Sequence, residues 1–305
     1  MLTKNLKTKS HIALLVANII FGINFSIAKA VMPDQIKPMA FVVLRNVVGA
    51  LLFWATSCFL PKEKVAVRDI LFLAVCSIFG VVINQILFLI GLNYTSPINS
   101  SIIISTNPIF AFILAMLILK ENITFLKGIG LSIGLTGVLI LILGNGSPDI
   151  SSKTFLGDIA TLVNTVSWAF YTVIIKRMLE KYHHVTVMKW TFLFGMLITI
   201  MIGFPSLNNA DWQAVTLKGW LGIGFVCVFA TYLGYLLISY ALRQLSPTIV
   251  SIYAYTSPVI AALMATIMGQ GALNKNIVLS TMLIFVGVFV VSWQKKQGNN
   301  FHYSE

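Results

Sequence analysis

Residues 96–110 read SPINSSIIISTNPIF, and residues 246–260 read SPTIVSIYAYTSPVI. Each stretch opens on Ser-Pro, runs apolar, and carries a second proline eleven residues after the first. Proline inside a helix removes an i→i−4 hydrogen bond, at a cost of about 3 kcal/mol in a soluble protein. A chain that does this twice with one spacing, 150 positions apart, interrupts a helix in two matching places.

The setting follows from composition. Of the 305 residues, 58% are hydrophobic and 10% charged, with a mean hydropathy of +0.91; a soluble domain carries about 25% charged residues. Apolar runs of roughly 20 residues recur, the length that crosses a hydrocarbon core about 30 Å thick. The pattern predicts an all-α polytopic membrane protein with ten transmembrane helices, at 12–32, 39–60, 69–92, 97–119, 125–144, 157–178, 186–205, 218–241, 247–269 and 277–293. The linker 145–156, GNGSPDISSKTF, is the longest and is the expected junction between halves. Lys4, Lys7 and Lys9 precede the first run, whose end Ala28-Lys29-Ala30 imitates a signal-peptide cleavage site. The run is long for a signal peptide and has a counterpart in the second half, so it reads as a retained span.

The basic residues orient the bundle. With the N-terminus inside, fifteen of the 21 Lys and Arg fall on the cytoplasmic side, four (Lys37, Lys153, Lys218, Lys275) outside, and Lys29 and Arg45 within spans. Positive-inside bias therefore predicts cytoplasmic N- and C-termini. The net charge of +12 is then a topology signal and an affinity for the anionic lipid bilayer, with no basic domain to hold nucleic acid. Cys58, Cys76 and Cys227 all fall in apolar spans and form neither a disulfide framework nor a metal spacing.

Shifted by 150, Ser96, Pro97, Ser101, Ile102, Thr106 and Pro108 meet Ser246, Pro247, Ser251, Ile252, Thr256 and Pro258. Gly137-Val138 meets Gly287-Val288, and at a slightly smaller offset Lys29 meets Lys176. Two five-helix halves result, 1–148 and 149–305. Five is odd, so the second half enters the membrane the opposite way. This is the inverted repeat of many secondary transporters, whose substrate site lies near the midplane between repeats. Pro97 and Pro247 are read as helix starts behind the N-caps Ser96 and Ser246. Pro108 and Pro258 are read as mid-span kinks that free the carbonyls of Ile104 and Ala254, which is tolerable at membrane depth against protein or a water-filled cavity.

Taken together, the ten spans as inverted fives, the lysine ending each repeat's first helix, Arg45 in FVVLRNVVGALLF and the stretch LKENITFLKGIGLSIGLTGVLIL at 119–141 resemble the EamA family of the drug/metabolite transporter superfamily. The resemblance covers about residues 11–293. The family places a glutamate after each fourth helix; Glu121 matches, but Gly271 in GQGALNKN stands in the second half. The resemblance implies a metabolite or amino-acid exporter of the bacterial inner membrane.

All nine acids and all four histidines lie in loops or at span ends. An intramembrane hydrolase or metalloenzyme would lack its acid, base and ligands, and no metal or cofactor is expected. There is no G-x-x-x-x-G-K-[ST] stretch, so ATP is not the direct energy source. An ionisable residue inside a span is a functional candidate by default. Arg45, seven residues into its span, is read as inward-facing, whereas Lys29, near the outer end, is read as snorkelling to headgroups. Uncharged candidates cluster near mid-span: Asn24, Asn84, Gln85, Trp168, Tyr171, Tyr232, Tyr235, Tyr253 and Tyr255. Tyr and Trp offer a wide apolar face with one hydrogen bond, suited to an amphipathic ligand.

The leading reading is a secondary transporter exporting small polar or amphipathic metabolites, amino acids or related compounds, by alternating access. A sugar-nucleotide or phosphate-ester exchanger would place Arg45 and Lys29 on an anion, and a non-transporting membrane scaffold would leave the mid-span polar residues without a role. The substrate, coupling ion or facilitated diffusion, the oligomeric state, and whether Arg45 and Lys29 face a cavity or lipid headgroups stay open at this point.

Overall fold

The computed structural model describes residues 2–119, 152–270 and 275–293, with scattered positions of 129–140. Among the described residues, eight helices are long and apolar enough to cross a membrane: α1 (Thr8–Val31), α2 (Pro38–Ser57), α3 (Val67–Tyr94), α4 (Pro97–Ile118), α5 (Lys153–Lys181), α6 (His184–Asn208), α7 (Leu217–Gln244) and α8 (Pro247–Ile267). A further helix, α9 (Lys275–Trp293), has a shorter apolar stretch at Val278–Gly287. These helices fall on the spans read from the sequence, within a few residues at each end. Apart from those scattered positions, the span expected at 125–144 lies outside the described residues, as do the C-terminal tail and Glu121.

Local chemistry sets where the helices start. Ser96 Oγ accepts from Asn99 N at 3.0 Å and Ser246 Oγ from Ile249 N at 3.4 Å, each ahead of a proline at the first helical position. Ser152 and Thr216 cap α5 and α7 in the same way. These side chains satisfy backbone N–H groups that the first turn leaves unpaired.

The halves correspond feature by feature. Both third helices contain a π-turn, Ile78–Ile83 in α3 and Val226–Leu233 in α7. Both fourth helices are discontinuous: α4 divides into Pro97–Ile104 and Asn107–Leu119, and α8 into Pro247–Ile252 and Thr256–Ile267 across a 3₁₀ turn at Tyr253–Tyr255. Both first helices send a lysine to the C-terminus of the third. Lys29 Nζ donates to the carbonyls of Leu92, Asn93 and Thr95 at 2.9, 2.8 and 2.9 Å. Lys176 Nζ donates to those of Leu242 and Arg243 at 2.8 and 3.1 Å. A cation at the negative end of a helix dipole is favourable, and these carbonyls lack intrahelical donors. Lys29 therefore caps a helix rather than snorkelling to headgroups. Its three N–H groups are all committed to protein carbonyls.

The halves interlock through close helix contacts. Gly91 of α3 and Gly157 of α5 face each other so closely that a Cβ on Gly157 would lie 2.9 Å from the Gly91 carbonyl oxygen and the Thr95 nitrogen. Small residues that let backbones approach in this way are typical of helix pairs in lipid. Beside them Asp158, 2% exposed, accepts from Thr95 Oγ1. Asp158 sits at a span end, as the sequence suggests, yet it is buried there. On the other flank, α1 packs on α7 and α8, with Phe21 against Gly234 and Ile260 against Gly22. Between these flanks α2 packs on α6, where Phe53 meets Phe192 at 4.9 Å between ring centroids.

Candidate substrate cavity

A cavity of about 110 Å³ lies between the halves, walled by α1, α2, α3, α4, α5, α7 and α8. Its lining has an aromatic part (Phe21, Phe25, Phe88, Trp168, Tyr235), five asparagines (Asn18, Asn24, Asn84, Asn107, Asn164), four hydroxyl residues (Thr165, Thr172, Ser251, Ser257) and one cation, Arg45. For scale, an engineered cavity of about 150 Å³ admits benzene, so this space suits a ligand of about half a dozen heavy atoms.

The helix interruptions shape one wall. Ile104 and Ala254, whose carbonyls lose their i+4 donors to Pro108 and Pro258, both line the cavity. The prolines act differently from the kinks expected of them. Each helix is already broken ahead of its second proline, at Ser105–Thr106 and at Tyr253–Tyr255, so Pro108 and Pro258 fall in the first turn of a new helix. The missing N–H costs little in that turn.

Arg45 is 4% exposed and lines the cavity. Its Nε donates to Thr231 Oγ1 at 2.9 Å, and its guanidinium carbon lies 5.9 Å from the centre of the Phe88 ring. Nη1 is buried without a hydrogen-bond partner in the protein. Among the described residues no acid forms an ion pair with Arg45. A buried cation without a counter-charge is costly, and a guanidinium is shaped to take a carboxylate in a two-bond fork.

Two lining residues also carry unpaired acceptors. Asn24 Oδ1 and Asn107 Oδ1 are buried with no partner in the protein. Asn18 and Asn164 are tied down instead: Asn18 Nδ2 donates to the Leu14 carbonyl at 2.8 Å, and Asn164 Nδ2 to the Asn84 carbonyl at 2.6 Å. Tyr235 is fixed by the opposite half. Its hydroxyl donates to the Gly80 carbonyl at 2.9 Å, lies 3.1 Å from Asn84 Oδ1 and accepts from Gln85 Nε2 at 3.3 Å. The π-turn in α3 spans Gly80 and ends beside Asn84, and such turns are frequent at functional sites. Trp168 stands edge-on to Tyr235, with ring centroids 5.2 Å apart.

Of the ten side chains that the sequence offered for binding, the structure places Asn24, Arg45, Asn84, Trp168 and Tyr235 in the lining. Gln85 sits behind the wall, bonded to Tyr235. Four tyrosines lie elsewhere. Tyr171 is buried under Gly80, with its hydroxyl 3.7 Å from the sulfur of Met188. The hydroxyl of Tyr232 is 2.6 Å from Thr56 Oγ1, and that of Tyr253 is 2.8 Å from His11 Nδ1. Tyr255 packs against Phe285 with ring centroids 5.5 Å apart. Depth along a span is legible in sequence, but the face that turns inward is not read from depth. Helical spacing carries that signal: Asn18, Phe21 and Phe25, like Asn164, Thr165, Trp168 and Thr172, recur at three or four residues and share one face.

The sequence profile of the EamA-like transporter family matches residues 8–143 and again 155–293. An uncharacterized transporter of Bacillus subtilis, YyaM, is 24% identical over 287 residues, 92% of this chain and 93% of that protein. An uncharacterized transporter of Archaeoglobus fulgidus is 28% identical over 269 residues, covering 85% and 89%. The WAT1-related protein At3g18200 of Arabidopsis thaliana is 22% identical, covering 95% and 83%. A solved crystal structure superposes with a TM-score of 0.69 at 14% identity, over 95% of this chain and 99% of that one.

Proposed function

Because the chain belongs to the EamA-like transporter family, a family of multi-pass membrane transporters rather than enzymes, we propose that it exports a small acid, zwitterionic or anionic, through the cavity between its halves. The observation that carries this reading is Arg45: a buried cation facing a small cavity, with one guanidinium nitrogen unpartnered in the protein. A substrate carboxylate would meet that nitrogen, and the free carbonyl oxygens of Asn24 and Asn107 would take an ammonium group. Trp168, Phe88 and Tyr235 would cover the carbon skeleton.

Transport would run by alternating access, the inverted halves rocking about this site. The completed architecture would be ten helices in two repeats, 1–148 and 149–305, in the bacterial inner membrane with both termini cytoplasmic, as the bias of basic residues supports. A sugar-nucleotide or phosphate-ester exchanger fits less well, because Lys29 is fully engaged with carbonyls and the cavity of about 110 Å³ is small for a nucleotide.

The test uses the purified protein in proteoliposomes, with the proteinogenic α-amino acids and their carboxamides as probes, with and without a proton gradient. At least one small amino acid should be transported well above its amide. Transport of amides as fast as acids, or of no acid at all, would exclude the reading.

A further inference from the structure

The fold repeats but its charge does not. In α7, Thr231 Oγ1 donates to the Val226 carbonyl five residues back, at 2.8 Å, in the register of the π-turn. The same oxygen accepts from Arg45 Nε at 2.9 Å. Gly49, one turn along α2 from Arg45, admits Thr231 at close range: a Cβ there would lie 3.2 Å from Thr231 Cγ2.

The other half contains the same junction with different chemistry. In the π-turn of α3, Val81 stands against Gly195 of α6 as Thr231 stands against Gly49 of α2, with a Cβ on Gly195 falling 2.4 Å from Val81 Cγ1. The positions of α6 that match Arg45 carry Thr191 and Phe192, neither of them charged. A π-turn packed on a glycine therefore forms with valine at this place. The hydroxyl of Thr231 is not required by the fold; its distinguishing partner is the guanidinium.

We infer that Thr231 is a positioning residue for Arg45 and thereby sets the cavity's selectivity for a negatively charged substrate group. The inference rests on the reading of Arg45 as the substrate's partner. With Nε held by Thr231 and the guanidinium beside Phe88, the rotation of the fork is fixed and Nη1 is left for the ligand. The bond also joins the first half to the second, so the pose of the cation depends on how the halves meet. Without the hydroxyl, Arg45 keeps its charge but loses its fixed orientation, and a planar fork discriminates by geometry as well as by charge.

The experiment compares the native protein, Thr231→Val, Thr231→Ser and Arg45→Gln in proteoliposomes at matched protein content. The ratio of transport of each amino acid to that of its carboxamide is the readout. Thr231→Val should lower the ratio roughly five- to tenfold, the effect of one lost hydrogen bond, and Thr231→Ser should hold it within about twofold of native. Should the valine variant not reach the membrane, Thr231→Ala carries the same expectation. A native ratio in the valine or alanine variant, alongside a collapsed ratio in Arg45→Gln, would overturn the role of Thr231 and leave the role of Arg45 standing. An unchanged ratio in Arg45→Gln would remove both.

Discussion

Arg45→Gln is expected to cut transport of a small carboxylate substrate about ten- to a hundredfold while leaving the matched amide nearly unchanged. The magnitude follows from losing one charge-assisted contact, roughly 1.5–3 kcal/mol, which is about one to two decades in affinity. The selectivity follows from where the charge sits: Arg45 is the one cation lining the cavity, among the described residues, and it has no acidic partner. Arg45→Lys keeps the charge but not the planar fork, so it should recover only part of the loss. Initial rates for acid and amide, at equal membrane abundance, measure both effects. Equal losses for acid and amide would mark Arg45 as a structural residue.

Lys29→Met should be the more damaging of two matched lysine substitutions, and its readout is stability. Lys29 holds three carbonyls at the end of α3, whereas Lys176 holds two at the end of α7 and also faces Glu180 at 3.4 Å. Removing the ammonium leaves the last carbonyls of α3 without their donor, at about 3 kcal/mol, the upper range for a hydrogen bond to a charged group. That cost corresponds to a fall in melting temperature of several degrees for a chain of this length, larger than Lys176→Met should produce with two carbonyls in place of three and an exposed ion pair worth little. Thermal unfolding of the detergent-purified variants tests the order. Identical melting curves for Lys29→Met and the native protein would mean that the amine does not cap α3.

The eight long apolar helices were readable because each has the length and apolarity that a hydrocarbon core demands. The matching interruptions of α4 and α8 were readable because Ser-Pro starts and second prolines recur at a fixed offset. Details that depend on which face of a helix turns inward were not. Tyr171 and Tyr232 have the right depth and chemistry, yet one is packed under Gly80 and the other is hydrogen-bonded to Thr56. Lys29 and Lys176 were visible as a matched pair, but carbonyls at a helix end leave no mark in a sequence, so their capping role emerged with the coordinates. Pro108 and Pro258 marked the right places for the wrong mechanical reason: the helices break ahead of them. The π-turns, which bring Gly80 to Tyr235 and Thr231 to Arg45, have no composition signal of their own, since IFGVVI and VCVFATYL look like ordinary apolar helix.

Access to the cavity from both sides of the membrane is the property on which the account depends most directly. Ala254 lines the cavity at the break in α8, so a cysteine there reports access to the site itself. In a background where the exposed Cys58 is serine and the buried Cys76 and Cys227 are kept, Ala254→Cys can be exposed to a small membrane-impermeant thiosulfonate in right-side-out and in inverted vesicles. The account predicts modification from both faces, slowed from both by a saturating concentration of an amino acid that the protein transports. Modification from one face alone, from neither, or at a rate that the amino acid does not change would contradict an alternating-access site at Arg45.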